Sequence, residues 1–163
     1  MKELWDAYDI NFNKINNMTL VRGEPLPEDV YHLVCEIIVK HTDGTYLLMQ
    51  RDFQKKSYAG MWELSAGGAA LQGESPEECA IRELREETGI IASEIHEIGR
   101  AVHNVYHCLF VEFLCVTDCS KSSIVLQDGE TVNYKWVDRS SMLGMGDELA
   151  SKRTVKAVRE LGI

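Results

Sequence analysis

Three features of the 163-residue chain predict an α/β (α+β) fold, a mixed β-sheet sandwiched between helices around a strand–loop–helix motif. β-rich apolar runs lie on both sides of one strongly capped helix, a second amphipathic helix closes the chain, and no repeat or Pro/Gly/Ser linker divides it. The length suits one domain, residues 1–163. Such a domain buries about 70% of the surface that its unfolded chain exposes, so the core needs no disulfide or metal staple.

In chain order, "ELWDAYDINFNK" (3–14) reads as a short strand, a turn and a second short strand, and "GEPLPED" (23–29) as an extended connector. Residues 1–30 form a β extension ahead of the main sheet. The stretch 31–52 carries a hairpin signal, two apolar β-rich runs around Thr42-Asp43-Gly44. A loop then leads into "WELSAGG", a short strand ending on paired glycines. The helix that follows has Ser75 as N-cap, Pro76 at the first helical position, Glu78 completing a capping box and Gly89 as its stop. Ala80, Ile81, Leu84 and Thr88 form its core-facing stripe, with Arg82, Glu83, Arg85, Glu86 and Glu87 opposite. Strands are expected over 92–99, 101–117 (with a bend) and 131–137. A final helix spans 151–161, with Val155, Val158 and Leu161 on one face.

The net charge of −9 argues against a nucleic-acid polymer or an anionic membrane surface as partner. It allows an anionic small molecule if a cation sits between enzyme and ligand. No apolar run approaches the 18 residues of a membrane helix, and the N-terminus resembles neither a signal nor a transit peptide. Cys35, Cys79, Cys108, Cys115 and Cys119 are odd in number and form no CxxC pair, so we expect reduced, mostly buried thiols and a cytoplasmic protein. Core packing suits Cys115 and Cys119 better than a zinc site.

Glu83, Glu86 and Glu87 project at about 0°, 300° and 40° around the helix, forming one carboxylate patch. Like charges three and four residues apart destabilise a helix by roughly 0.2–0.5 kcal/mol per pair. The patch suits Mg²⁺, a hard cation that takes oxygen ligands and offsets that repulsion. The bland alternative is a solvated face, supported by the i, i+4 pairs Glu78–Arg82 and Arg82–Glu86. Glycines at 60, 67, 68 and 73 weigh against it, because they build a loop whose backbone can approach a ligand closely.

The whole stretch "GAALQGESPEECAIRELREETGI" (68–90) resembles the signature of the Nudix hydrolases at every fixed position: Gly68, Glu74, Arg82, Glu83, Leu84, Glu86, Glu87, Gly89 and Ile90. A chance match is on the order of 10⁻⁸ per starting position. The resemblance covers residues 30–140 as a fold and 67–90 as a loop–helix site. It implies a Nudix fold and Mg²⁺-dependent attack of water on a phosphorus of a diphosphate, with Mn²⁺ as an alternative ion. The carbonyl of Gly67 then joins Glu83, Glu86 and Glu87 as metal ligands. Arg82 orients a glutamate, and Glu74 supports the site. The general base is Glu83 or Glu130, the latter in "LQDGETVNYKW", where many Nudix enzymes keep an extra acidic residue. Arg51, Lys55, Lys56 and Trp62, just ahead of the box, are the candidates for substrate binding, although the core suits Trp62 and Trp136 better than base stacking does. The partner is a small-molecule diphosphate, and a homodimer is compatible with this class.

Residues 51–74 also resemble isopentenyl-diphosphate isomerases, and His32 resembles a metal-binding histidine of theirs. However, the isomerase cysteine falls on Gly67 and its neighbouring ligand histidine on Ala69, which leaves no evident acid to protonate an alkene. A non-catalytic nucleotide- or sugar-binding module is the third reading; loss of box glutamates usually accompanies that fate, and none is lost here.

Overall fold

The computed structural model describes residues 2–163. An N-terminal pair, β1 (Leu4–Tyr8) and β2 (Lys14–Val21), forms a separate two-stranded antiparallel sheet. The main sheet contains β3 (His32–His41), β4 (Tyr46–Arg51), β5 (Trp62–Leu64), β6 (Ala66–Ala69), β7 (Ile95–His103), β8 (Cys108–Thr117) and β9 (Thr131–Val137). Its helices are α1 (Pro76–Thr88), α2 (Arg139–Gly144) and α3 (Lys152–Leu161). The sheet is mixed: β3 pairs β8 in parallel, while β6 on β3, β7 on β8, and β5 and β9 on β4 are antiparallel.

Alternation along β3 and β4 separates two cores. Ile37, Val39, Leu47 and Met49 face α1, packing with Ala80 and Leu84. Ile38, Tyr46 and Leu48 face the other way, onto Met142 of α2 and Val158 of α3. Covering both faces is why these strands read as near-continuous apolar runs. The N-terminal hairpin adds a third, smaller core of Trp5, Ala7, Leu20 and Val30.

The expected hairpin at 31–52 holds only at its tip, where Lys40 opposes Tyr46. Beyond it β4 leaves β3, and β6 takes that edge, with Val34 opposite Ala69 and Ile37 opposite Ala66. Buried Ser65 bridges the fork: its hydroxyl accepts from the Val39 N–H at 3.0 Å and donates to the Leu47 carbonyl at 2.9 Å. Ser65 holds φ at 64°, an uncommon angle for a non-glycine residue. Orphaned ladder groups are costly when buried, and one hydroxyl here satisfies both. The fork thereby directs "AGGA" across the bottom of β3.

Other boundaries shift modestly. The second N-terminal strand begins at Lys14 rather than ending there, because 9–13 form the turn, closed by the Asp9 carboxylate on the Asn11 and Asn13 N–H groups. The break expected near residue 100 is a β-bulge at 97–99, and the chain reverses only at 104–107. The helix after β9 was not legible in the sequence; Asp138 caps it by accepting from the Ser141 N–H at 2.8 Å. All five cysteines are free, four of them buried.

Arg153 pins α3 to the sheet through two carboxylates, Glu36 at 2.6 Å and Glu112 at 3.2 Å, and lies over the Phe110 ring. Burial raises both carboxyls above their ordinary range, while Arg153 pulls both back. For Glu36 the neighbouring Glu112 and Glu63 charges add to the rise. Arg153→Met is therefore expected to destabilise the fold by about 3 kcal/mol at pH 8, the scale of a buried pair stripped of one partner. Raised carboxyl pKa values mean that the folded state binds more protons than the unfolded one, so this loss shrinks as pH falls toward 5. Urea denaturation at the two pH values checks the sign.

Candidate active site

The strand–loop–helix unit is built from its caps inward. Ser75 accepts from the Glu78 N–H at 3.2 Å, and the Glu78 carboxylate accepts from the Ser75 N–H at 2.8 Å, the reciprocal box read from the sequence. Gly89 ends α1 with φ 75°, its N–H on the Arg85 carbonyl. The buried face is Cys79, Ala80, Leu84, Glu87 and Thr88. This corrects two assignments: Ile81 is 40% exposed, and Glu87, expected on the open side, is only 6% exposed. The reason is rotational. At 40° from Glu83, Glu87 turns under β6, where its carboxylate accepts from the Gly67 N–H at 3.1 Å.

Arg82 organises the open side. Its Nε and Nη2 meet the two oxygens of Glu74 at 2.7 and 2.9 Å, and Nη2 also reaches the Ala69 carbonyl at 3.1 Å. Nη1 holds Glu83 at 2.7 Å and Glu86 at 3.3 Å. Glu74 also accepts from the Leu71 N–H, which ties the loop to the helix. This is the bidentate, charge-assisted geometry that fixes a guanidinium in place.

Gly67, Arg82, Glu83, Glu86, Glu87 and Glu130 line one cleft of about 400 Å³. Burial, reinforced by Glu63, Glu83 and Glu130, pushes the Glu87 carboxyl well above the ordinary range, and the Gly67 N–H only partly opposes this. Burial also raises Glu83, against the pull of Arg82. These oxygen donors carry more negative charge than the cleft stabilises alone, which fits a hard divalent cation. Among the described residues no three ligating side chains converge on one point, and Glu83 and Glu86 both lean on Arg82. The carboxylates are gathered but not closed into a cage.

The remaining candidates separate. Lys55 pairs with Glu130 at the cleft's edge. Arg51 ion-pairs with Glu63 at 2.9 Å and lines a second cleft of about 730 Å³ beside Tyr58, Tyr106 and Phe110. A narrower cleft of about 160 Å³ between them is lined by Gly67, Gly68, Arg51 and Glu63. Lys56 is exposed and lines none of the three. Trp62, a candidate for substrate binding, instead takes the core position that also suited it: it packs on the α2/α3 core under Lys135, whose Nζ lies 4.2 Å from the ring centroid. Strand alternation explains this, because its neighbour Glu63 takes the face toward Glu87. Sequence reading passed over Glu63, and a lone carboxylate inside an apolar strand was the available signal.

The N-terminal hairpin also reaches the site. Trp5 stacks on His32 with centroids 4.2 Å apart and planes within 13°, and both line the 400 Å³ cleft together with Glu3 and Arg22. Burial, then the Arg22 charge, lowers His32 to about 4, so it is neutral near pH 7. No cysteine is among the described lining residues.

The NUDIX domain model matches residues 30–158. An uncharacterized Nudix hydrolase of Listeria monocytogenes is 31% identical over 143 residues, covering 86% of this chain and 82% of that protein. An isopentenyl-diphosphate Delta-isomerase of Klebsiella pneumoniae is 28% identical over 117 residues, covering 69% of this chain and 64% of that protein. The crystal structure of DR0079 from Deinococcus radiodurans superposes with a TM-score of 0.77 at 17% identity, covering 96% of this chain and 98% of that one, a likeness of fold. With the box complete and its carboxylates gathered in one cleft, the chain belongs to the Nudix hydrolase family, enzymes that act on pyrophosphate bonds of nucleotide-like small molecules and generally use divalent metal ions.

Proposed function

We propose that this protein is a Mg²⁺-dependent hydrolase that cleaves the diphosphate bond of a nucleoside diphosphate linked to another moiety, by attack of water at phosphorus. The observation that carries this reading is the convergence of Glu83, Glu86, Glu87 and Glu130 with the Gly67 backbone on one cleft. The Gly67 carbonyl and the three helix carboxylates would hold the ion. When bound, Mg²⁺ (or Mn²⁺) neutralises phosphate oxygens and makes water a stronger nucleophile. Arg82, anchored on Glu74, keeps Glu83 in position. Glu83 and Glu130, both lining the cleft, are the two candidates for the base that takes the proton from water. Lys55, paired with Glu130, and Arg51, paired with Glu63 in the adjoining cleft, would contact the substrate's phosphates. The exposed ring of Tyr58 and the stacked His103–Tyr106 pair, centroids 4.7 Å apart, give the 730 Å³ cleft aromatic surfaces for a nucleoside.

The test is release of nucleoside monophosphate from a panel of sugar nucleotides, dinucleoside polyphosphates and nucleoside triphosphates, with isopentenyl diphosphate included. Cleavage of at least one nucleotide is expected with Mg²⁺ and is lost on chelation. Millimolar Mg²⁺ is also expected to raise the melting temperature by linkage to the folded state. Turnover that survives chelation, or isomerised isopentenyl diphosphate with every nucleotide intact, would overturn the reading.

A further inference from the structure

The cleft holds more cationic capacity than the Nudix box supplies. Two arginines line it, Arg22 and Arg82. Arg82 commits Nε and both terminal nitrogens to Glu74, Glu83, Glu86 and the Ala69 carbonyl, so none of them is left for a ligand. Arg22, the residue after β2, makes one side-chain bond among the described residues, Nη1 to Glu3 at 2.8 Å, and its side chain is 62% exposed. Glu3 is itself steadied by the Trp5 indole N–H at 2.7 Å. Trp5 lies flat on His32 of β3 and belongs to the hairpin's own core. Arg22 therefore lines the same cleft as Glu83, Glu86, Glu87 and Glu130, with most of its planar fork unspent. Glu83 and Glu130 on the far side add to the Glu3 contact in favouring its charge.

We propose that the N-terminal hairpin supplies a phosphate-binding subsite in which Arg22 engages the phosphate of the substrate farther from the Glu83–Glu87 carboxylates. This rests on the diphosphate-hydrolase reading and extends it to a wall outside the box. Such a wall selects substrates that keep an unsubstituted or singly esterified phosphate on that side, because a guanidinium fork pairs two oxygens at once. Glu3 is a positioning residue that aims the fork.

The experiment uses the full chain with Mg²⁺ and methylenediphosphonate, whose P–C–P bridge water cannot cleave, and reads affinity by calorimetry. In parallel, steady-state kinetics follow the best substrate of the nucleotide panel. Arg22→Gln is expected to weaken diphosphonate binding roughly tenfold or more, the scale of a lost hydrogen bond to a charged group. KM should rise in parallel while kcat stays within about threefold, the pattern of lost uniform binding. Arg22→Lys should recover part of the affinity. Arg159→Gln removes one charge from exposed α3 and should leave affinity and KM unchanged, which separates a local contact from net charge. Wild-type affinity in Arg22→Gln, or a fall in kcat with KM unchanged, overturns the subsite. If the wild type neither binds the diphosphonate nor cleaves any diphosphate, the hydrolase reading falls and takes the subsite with it. The two failures are distinct because the first needs an active wild type.

Discussion

Glu87→Gln is expected to lower diphosphate hydrolysis by at least about 100-fold, the scale on which removing one group that manages transition-state charge acts. It should simultaneously raise the melting temperature of the metal-free protein. The two effects have one cause. Glu87 is buried, and Glu63, Glu83 and Glu130 all disfavour its charge. A neutral isostere removes that repulsion and leaves an amide oxygen to accept from the Gly67 N–H. For a chain of this length each kcal/mol recovered corresponds to roughly 2–4 °C. The Mg²⁺-induced shift should shrink in the variant, since a proposed ligand is lost while stability is gained. Glu86→Gln should cost activity with little change in metal-free stability, because the Glu86 side chain is 45% exposed and, among the described residues, held by Arg82 alone. If Glu87→Gln lowered the melting temperature and spared turnover, Glu87 would be a structural carboxylate and the ion would have to sit elsewhere.

The second large effect comes from the paired glycines, which differ in what a methyl group would meet. A Cβ on Gly68 would overlap the Glu83 carboxylate, the movable end of a side chain. A Cβ on Gly67 would lie 2.7 Å from the Cys35 carbonyl oxygen, which is fixed in the β3–β6 ladder. Gly68→Ala is therefore expected to keep wild-type stability within about 1 kcal/mol, since a flexible side chain can give way. Its activity should fall by roughly 100-fold, because Glu83 is forced off Arg82 and out of the cleft. Gly67→Ala should lose stability as well, by about 1–3 kcal/mol, the usual cost of forcing atoms into a packed site. Urea denaturation and single-substrate kinetics on both variants separate the cases. Equal behaviour of the two would mean that the loop yields as a unit and that Glu83 is not displaced.

Both experiments probe a unit whose local half was written in the chain. The capped helix from Pro76 to Thr88, the glycine stop at 89 and the clustering of three carboxylates follow from 3.6-residue periodicity and side-chain capping chemistry, which depend only on near neighbours. The strand at 131–137 and the final helix were legible for the same reason. The tip of the 31–52 hairpin was visible in its turn residues, but the fork behind it was not. Where β4 leaves β3 depends on β6 arriving from downstream and on the Ser65 hydroxyl satisfying the parted strands.

Family membership was therefore determined by the sequence, because the residues of the box sit within one loop and one helix. Tertiary structure decided which carboxylates are buried, that Glu63 stands near Glu87, that Trp62 turns to the core and that Arg22, from the N-terminal hairpin, lines the same cleft. Those facts arise from contacts between residues far apart in the sequence. No local periodicity encodes such contacts, since burial and charge coupling exist only once distant strands are brought together.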